Sequence, residues 1–155
     1  MTLNLGGQAT RPGQLGETDP AVINRVLAAG AKRVTEINET TREGLAEIVA
    51  QGVEQGMGAA ELGDAIQAWS GWDEYRSEMI ARTETGMAYN STALESYREN
   101  GMEYVQVLDG DGDEECAPWA DVVVPIDDAP DPLGHPNCTR DILPYIGTPS
   151  EGEMP

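Results

Sequence analysis

The sequence predicts an α+β fold in which an N-terminal helical region ends in a long helix and is followed by a small β-rich lobe. Apolar residues recur at helical spacing along the first two-thirds of the chain. After Gly101 the period changes to the alternating and valine-rich runs that are typical of strands. With 155 residues, the chain is long enough for one compact core that both parts share.

We expect four segments along the chain. Residues 1–18 are rich in Gly, Gln, Thr and Pro and show no periodicity, which is typical of a flexible arm. Residues 19–101 are the predicted helical region, and residues 102–146 are the predicted β-lobe with its Cys and His residues. Residues 147–155 are expected to form a disordered tail.

The first helix is predicted to start at Asp19-Pro20, with Asp as N-cap and Pro at the first helical position. Thr40 and Glu43 match a capping box. The sequence therefore allows either a second helix from Thr40 or one long helix that runs to about Gln55. Gly56-Met57-Gly58 breaks the pattern, and a short helix over residues 59–69 is expected next.

The most regular helix follows, with Ser70 and Asp73 as start signals and Asn100-Gly101 as a typical C-cap. Its inner face repeats at steps of three and four residues: Ile80, Thr83, Met87, Asn90, Leu94 and Tyr97. Strands are expected over residues 103–108, 121–126 and 142–146, and Pro144 predicts that the last of these lies at a sheet edge.

Arg82, Thr83 and Glu84 stand together inside this long helix, and Glu78 lies at ion-pair spacing from Arg82. We predict a structural role, in which Thr83 and Asn90 find partners in the lobe, because their unpaired burial would cost roughly 1–3 kcal/mol each. The alternative is a solvated helix face with one buried threonine bonded to a carbonyl of the preceding turn.

The chain carries a formal net charge of −19, and its acidity is concentrated near the C-terminus. Residues 101–155 contain 13 acidic residues and Arg140 as their only lysine or arginine. Because nucleic-acid affinity comes mostly from Lys and Arg, we expect no direct nucleic-acid binding by the lobe. No apolar run approaches the roughly 18 residues of a membrane span and no leader opens the chain, so we expect a soluble, unsecreted protein without a membrane partner.

Two residue pairs in the lobe have the spacing of a zinc site, namely Asp113-Glu-Glu-Cys116 and His135-Pro-Asn-Cys138. A carboxylate, an imidazole and two thiolates are an acceptable zinc set, and a lobe of roughly 45 residues has too small a core to be secure alone. We therefore predict zinc as the candidate cofactor, with Asp113, Cys116, His135 and Cys138 as ligands and Trp119 covering the site.

Two other interpretations of the cysteines stay open. Cys116 and Cys138 could form a disulfide or a close thiol pair, or they could be buried small side chains with His135 as a loop residue. The run Asp109-Gly-Asp111-Gly-Asp113 resembles the opening of a calcium loop, but the later positions lack the required Gly and Glu, so we predict an acidic turn. No complete catalytic set is present, and no catalytic residue is predicted.

Three features, in order, resemble the Mu F-like head-morphogenesis family of tailed phages. They are the helical pattern Ile37-Asn-Glu-Thr-Thr-Arg-Glu-Gly-Leu, the stretch Ile80-Ala-Arg-Thr-Glu-Thr85 with Tyr97-Arg98-Glu99-Asn100-Gly101, and the lobe motif His135-Pro-Asn-Cys138. Family members commonly carry a further cysteine in each lobe segment, where this chain has Trp119 and Arg140. The resemblance therefore implies metal binding only through Cys116, His135 and Cys138.

The resemblance also implies a function. It predicts a minor head protein that acts in head assembly, is associated with the portal and the capsid interior, and aids DNA packaging or ejection. The expected partners are portal and capsid or scaffold proteins, and the expected location is the virion, reached from the host cytoplasm. The alternative is a metal-dependent hydrolase or toxin-like enzyme that uses Asp113, Cys116, His135 and Cys138. Whether the chain is a minimal family member or part of a larger head protein stays open.

Overall fold

The computed structural model describes residues 19–29, 31–109 and 113–150, and within these it contains four helices followed by a three-stranded antiparallel sheet. The helices are α1 (Pro20–Ala29), α2 (Glu39–Glu54), α3 (Ala59–Ser70) and α4 (Glu74–Glu99), and the strands are β1 (Tyr104–Leu108), β2 (Val122–Pro125) and β3 (Asp141–Tyr145). The fold class is α+β, as predicted. The predicted arm, residues 1–18, and the last five residues of the predicted tail, 151–155, lie outside the described residues.

Helices α1 and α2 are separate, which decides between the two alternatives that the sequence allows. α1 begins at Pro20 as predicted, after the N-cap residue Asp19. The backbone leaves helical geometry at Ala31 and Glu36, whose φ angles are 49° and 61°. Arg42 of α2 holds this connection in place, because its Nη1 atom donates a hydrogen bond to the carbonyl of Ala31 at 2.8 Å.

The N-cap of α2 corrects one prediction. The side chain of Asn38 accepts a hydrogen bond from the backbone N–H of Thr41 at 2.8 Å, and the helix begins at Glu39. The predicted capping box of Thr40 and Glu43 is therefore wrong. Thr40 already lies in the first helical turn, and Asn38 has taken the position from which a side chain can satisfy the free N–H groups of that turn.

The long helix α4 has the boundaries that the sequence predicts. Asp73 is its N-cap, and the Oδ1 atom of Asp73 accepts a hydrogen bond from the N–H of Arg76 at 2.9 Å. Ser70, the other predicted start signal, is instead the last residue of α3. At the far end Asn100 is the C-cap and Gly101 has a φ of 72°, a left-handed conformation that glycine adopts without steric cost.

Helix α4 contributes side chains to three apolar clusters. The helical core comprises Val22, Val26, Ala31, Val34, Leu45, Val49, Ala50, Val53, Leu62, Ile66, Ile80, Ala81 and Ala88. The sheet core comprises Leu94, Val105, Val107, Val124, Ile126 and Ile142. The cysteine cluster comprises Cys116, Leu133 and Cys138, with Met87 of α4 packed against it. Helix α4 thus packs against both the helical bundle and the lobe.

The predicted inner face of α4 is buried or half-buried at every position. Five further residues of the helix are buried as well: Ser77, Ala81, Glu84, Ala88 and Thr92. Ala81 and Ala88 belong to the helical core, whereas Asn90 and Thr83 face the lobe. The additional buried residues are small or polar, so they add little to the apolar periodicity from which the inner face was predicted.

The sheet has the order β2-β1-β3, with β1 antiparallel to both neighbours. β1 alternates between half-buried and buried residues, and Val105 is paired with Val124 of β2 and with Pro144 of β3. β3 therefore lies at an edge of the sheet, as its proline predicts. The lobe, by which we mean these strands and the loops between them, packs against α4 through β3 and the loop that precedes it.

Candidate functional site

Two polar side chains of α4 join the helix to the lobe. Nδ2 of Asn90 donates hydrogen bonds to the backbone carbonyls of Pro132 and Arg140, both at 2.8 Å. Oγ1 of Thr83 accepts a hydrogen bond from the backbone N–H of Asn137 at 2.8 Å and donates one to a carbonyl of its own helix at 2.7 Å. Both buried polar groups therefore have hydrogen-bond partners. Three of these four bonds reach the loop that precedes β3, and the fourth stays within α4.

Arg82 and Glu84 flank Thr83 and have different surroundings. Arg82 is exposed, forms an ion pair with Glu78 at the predicted spacing, and lies 3.4 Å through Nη1 from Oδ1 of Asn137. Glu84 is 3% exposed, and its Oε2 atom accepts a hydrogen bond from Nη2 of Arg33 at 2.9 Å. The alternative of a solvated helix face thus describes Arg82 but not Glu84. The hydrogen bond between Glu84 and Arg33 joins α4 to the connection between α1 and α2.

The two cysteines lie side by side in the lobe. Their Sγ atoms are 3.6 Å apart, both side chains are buried, and both are free thiols. This is a contact distance between thiols, well beyond the 2.05 Å of a disulfide bond. Burial raises the pKa of the Cys116 thiol, with further contributions from Asp109 and Cys138. Cys116 is therefore protonated at neutral pH.

The predicted zinc ligands gather only in part. One donor atom each from Cys116, His135 and Cys138 lies within 4.8 Å of the other two, and Asp113 does not belong to this group among the described residues. Oδ2 of Asp113 lies instead 2.6 Å from Nε2 of His135. Its Oδ1 atom accepts a hydrogen bond from the backbone N–H of Cys116, which lowers the pKa of Asp113. The carboxylate of Asp113 therefore stabilises the loop at Cys116 through Oδ1 and contacts the imidazole of His135 through Oδ2.

Asp109 and Arg140 form a buried ion pair that the sequence analysis missed. The two side chains are 0% and 2% exposed, and Nε of Arg140 lies 2.8 Å from Oδ2 of Asp109. Nη2 of Arg140 is 3.7 Å from Sγ of Cys116. The middle of the predicted acidic turn, residues 110–112, lies outside the described residues, and the carboxylate of Asp109 at its start faces this arginine. The available signal was the presence of Arg140 as the only lysine or arginine among 13 acidic residues.

This arrangement fits a zinc ion only in part. In a tetrahedral site, two zinc–sulfur bonds of about 2.3 Å place the sulfur atoms nearly 4 Å apart. The distance between the Sγ atoms of Cys116 and Cys138, 3.6 Å, is close to this value. The fourth predicted donor, Asp113, contacts His135 instead, and the guanidinium of Arg140 lies 3.7 Å from Sγ of Cys116. The four-ligand set does not fit as predicted, and zinc binding itself stays a prediction. Trp119 packs against the sheet core instead of the cysteine cluster.

The comparisons with known proteins identify the family. A family model described as Phage Mu protein F like protein matches residues 43–140, which is more than half of the chain. The chain therefore belongs to this family, as the resemblance in sequence implies, and the family points to phage head morphogenesis. The match extends from α2 through the whole of α4 to Arg140 in the lobe. No curated protein and no solved structure matched the chain.

One further finding concerns membranes. Among the described residues, none of the helices combines the length and the apolar composition that crossing a bilayer requires.

Removal of the Thr83 hydroxyl should weaken the junction between α4 and the lobe. Thr83→Val keeps the shape of the side chain but leaves the partly buried N–H of Asn137 without this acceptor, so we expect the free energy of unfolding to fall by about 1 kcal/mol. Thr85→Val is the matched control, because within the described part of the chain the Thr85 hydroxyl bonds only carbonyls of its own helix. Urea unfolding measures both variants, and equal losses would show that Thr83 does not join the two parts.

The stability contribution of Glu84 should depend on pH. Burial raises the pKa of Glu84 above its ordinary value of 4.5, and the opposing effect of Arg33 is smaller. A carboxyl group whose pKa is higher in the folded state binds its proton more tightly there, so its contribution is complete below pH 4.5 and is lost as the pH rises through the folded-state pKa. Relative to wild type, Glu84→Gln should therefore become more stable over that interval.

Urea unfolding of wild type and Glu84→Gln at a series of pH values measures this difference. Glu95→Gln, which changes an exposed glutamate of the same helix, corrects for the general pH dependence of the protein. A stability difference between wild type and Glu84→Gln that stays constant with pH would contradict the prediction.

Proposed function

We propose that this protein is a minor head protein that acts in phage head assembly, associated with the portal and the capsid interior, and that it aids DNA packaging or ejection. Membership in the Phage Mu protein F like family carries the proposal. The family match includes both the helical region and most of the lobe, and the contacts of Asn90 and Thr83 join these two parts. The expected location is the virion.

We propose a structural role for Arg82, Thr83 and Glu84. Thr83 connects α4 to the lobe, Glu84 connects it to Arg33, and Arg82 lies at the edge of the same junction. The surroundings of Cys116 argue against catalysis by this thiol, since a buried thiol with a raised pKa is a poor nucleophile. The segment over residues 82–84 thus positions the parts of the protein relative to one another.

Partner binding is proposed for the aromatic corner, which we define as Trp69, Trp72, Tyr75 and Arg76 at the turn from α3 to α4. The rings of Trp69 and Trp72 meet edge to face with centroids 6.4 Å apart, and the guanidinium of Arg76 lies 4.5 Å from the centroid of the Trp72 ring. Tyr75 is 73% exposed. Trp, Tyr and Arg are the residues that most often dominate binding energy at protein interfaces.

The lobe has a different surface. Its only lysine or arginine up to residue 150 is Arg140, and this side chain is buried, so no described residue of the lobe presents a lysine or arginine to solvent. Such a surface repels phosphate groups and favours contacts with basic or apolar surfaces. We therefore propose that portal, capsid or scaffold proteins bind mainly to the helices and that the lobe does not contact DNA directly.

Mass spectrometry of purified virions and of proheads tests the location. We expect the protein in both particles at a low copy number relative to the major capsid protein. A phage that lacks the gene should accumulate defective heads, and expression of the wild-type chain in trans should restore normal ones. Absence of the protein from both particles would overturn the proposed function.

Tyr75→Ala should weaken binding to the portal protein about tenfold or more, because exposed aromatic residues at an interface core commonly contribute that much. Ile146→Ala is the matched control, since Ile146 is 87% exposed but follows β3 in the lobe. Affinity is measured by surface plasmon resonance with the purified portal protein, and circular dichroism checks that both variants are folded. A larger loss with Ile146→Ala than with Tyr75→Ala would place the partner on the lobe instead.

A further inference from the structure

The guanidinium of Arg140 lies at the centre of the lobe and contacts several loop segments. Nε bonds the carboxylate of Asp109 at 2.8 Å, and Nη1 donates to the backbone carbonyl of Asp131 at 2.9 Å. Nη2 lies 3.7 Å from Sγ of Cys116. The backbone N–H of Arg140 itself approaches Sγ of Cys138 at 3.4 Å. One side chain and its own N–H thus connect the end of β1, the loop after it and the loop before β3.

A structural metal ion performs the same task in a small domain, because it holds distant loop segments together with one buried positive charge. We propose that the guanidinium of Arg140, neutralised by Asp109, takes the place of a structural metal ion in this lobe. The lobe then folds, and stays folded, without zinc.

The charges around the two thiols support this proposal. Arg140 and Asp109 neutralise each other, so the interior around the two sulfur atoms already holds a balanced pair of charges. A zinc ion bonded to Cys116 would lie within about 6 Å of Nη2 of Arg140, given a zinc–sulfur bond of about 2.3 Å. The guanidinium thus occupies one of the directions from which a cation could approach this sulfur.

Arg140 also belongs to the junction with α4. Its backbone carbonyl accepts one of the two hydrogen bonds from Nδ2 of Asn90, at 2.8 Å. The guanidinium therefore stabilises the same loop that the helix holds. A substitution of Arg140 should consequently lower the stability of the whole protein, as the loss of a structural metal ion would.

The first experiment measures metal content and its effect on stability. Protein purified from zinc-supplemented cells without chelator should contain less than about a tenth of a zinc ion per chain. A ligand that binds only the folded state raises the melting temperature as its concentration increases. If zinc does not bind, neither a chelator nor added zinc chloride should shift the melting temperature. Nearly one zinc per chain, with a lower melting temperature after chelation, would overturn the proposal.

The second experiment tests the ion pair directly. Arg140→Met leaves the carboxylate of Asp109 buried and unpaired, so we expect the melting temperature to fall by about 10 °C. Lys32→Met is the matched control, because it removes one positive charge from an exposed side chain outside the lobe. A melting temperature of Arg140→Met equal to that of the control would overturn the proposal.

A double variant keeps the test decisive if Arg140→Met does not fold. Arg140→Met combined with Asp109→Leu removes both charges and leaves apolar side chains in their place. Because the unpaired charge is the main cost of the single change, the double variant should fold and melt at a higher temperature than Arg140→Met. A double variant that is no more stable than the single variant would show that the pair does not act as a unit.

Discussion

The burial of α4 on two faces is the constraint on which the rest of the structure depends. One face completes the helical core through Ala81 and Ala88, and another carries Thr83 and Asn90 toward the lobe. A helix in this position cannot be solvated along a broad stripe, so its polar side chains need partners from other elements. The short α1–α2 connection and the loop before β3 supply those partners, and each is thereby fixed against the same helix.

In the lobe, polar contacts provide much of the stabilisation that a larger apolar core would provide. Its three strands have five, four and five residues, and an isolated sheet of that size buries little apolar surface. The pair of Asp109 and Arg140 lies in the interior of the lobe, and Asn90 bonds the carbonyl of the same arginine. Buried charges and amides demand specific partners, so they fix the conformation of the loops that an apolar cluster would leave less defined.

The sequence predicted those features that depend on local patterns. The regular spacing of α4, the change of period at Gly101 and the edge position of Pro144 are local signals, and all three are confirmed. The N-cap of α2 was misplaced because Asn38 and Thr40 are both good cap residues and only the backbone decides between them. Glu84 and Arg33 are 51 residues apart and Asp109 and Arg140 are 31 apart, and no local window shows such pairs.

The edge strand β3 has a consequence for a protein in a crowded assembly. An exposed strand edge offers unpaired N–H and carbonyl groups to any neighbouring chain, and polymerisation through such edges competes with ordered assembly. Pro144 removes one N–H donor from β3, and the exposed carboxylate of Asp141 adds charge at the start of the same strand. Copies of the chain brought close together therefore gain little by pairing along β3, so contacts on this side of the sheet are left to side chains, whose identity can specify the partner.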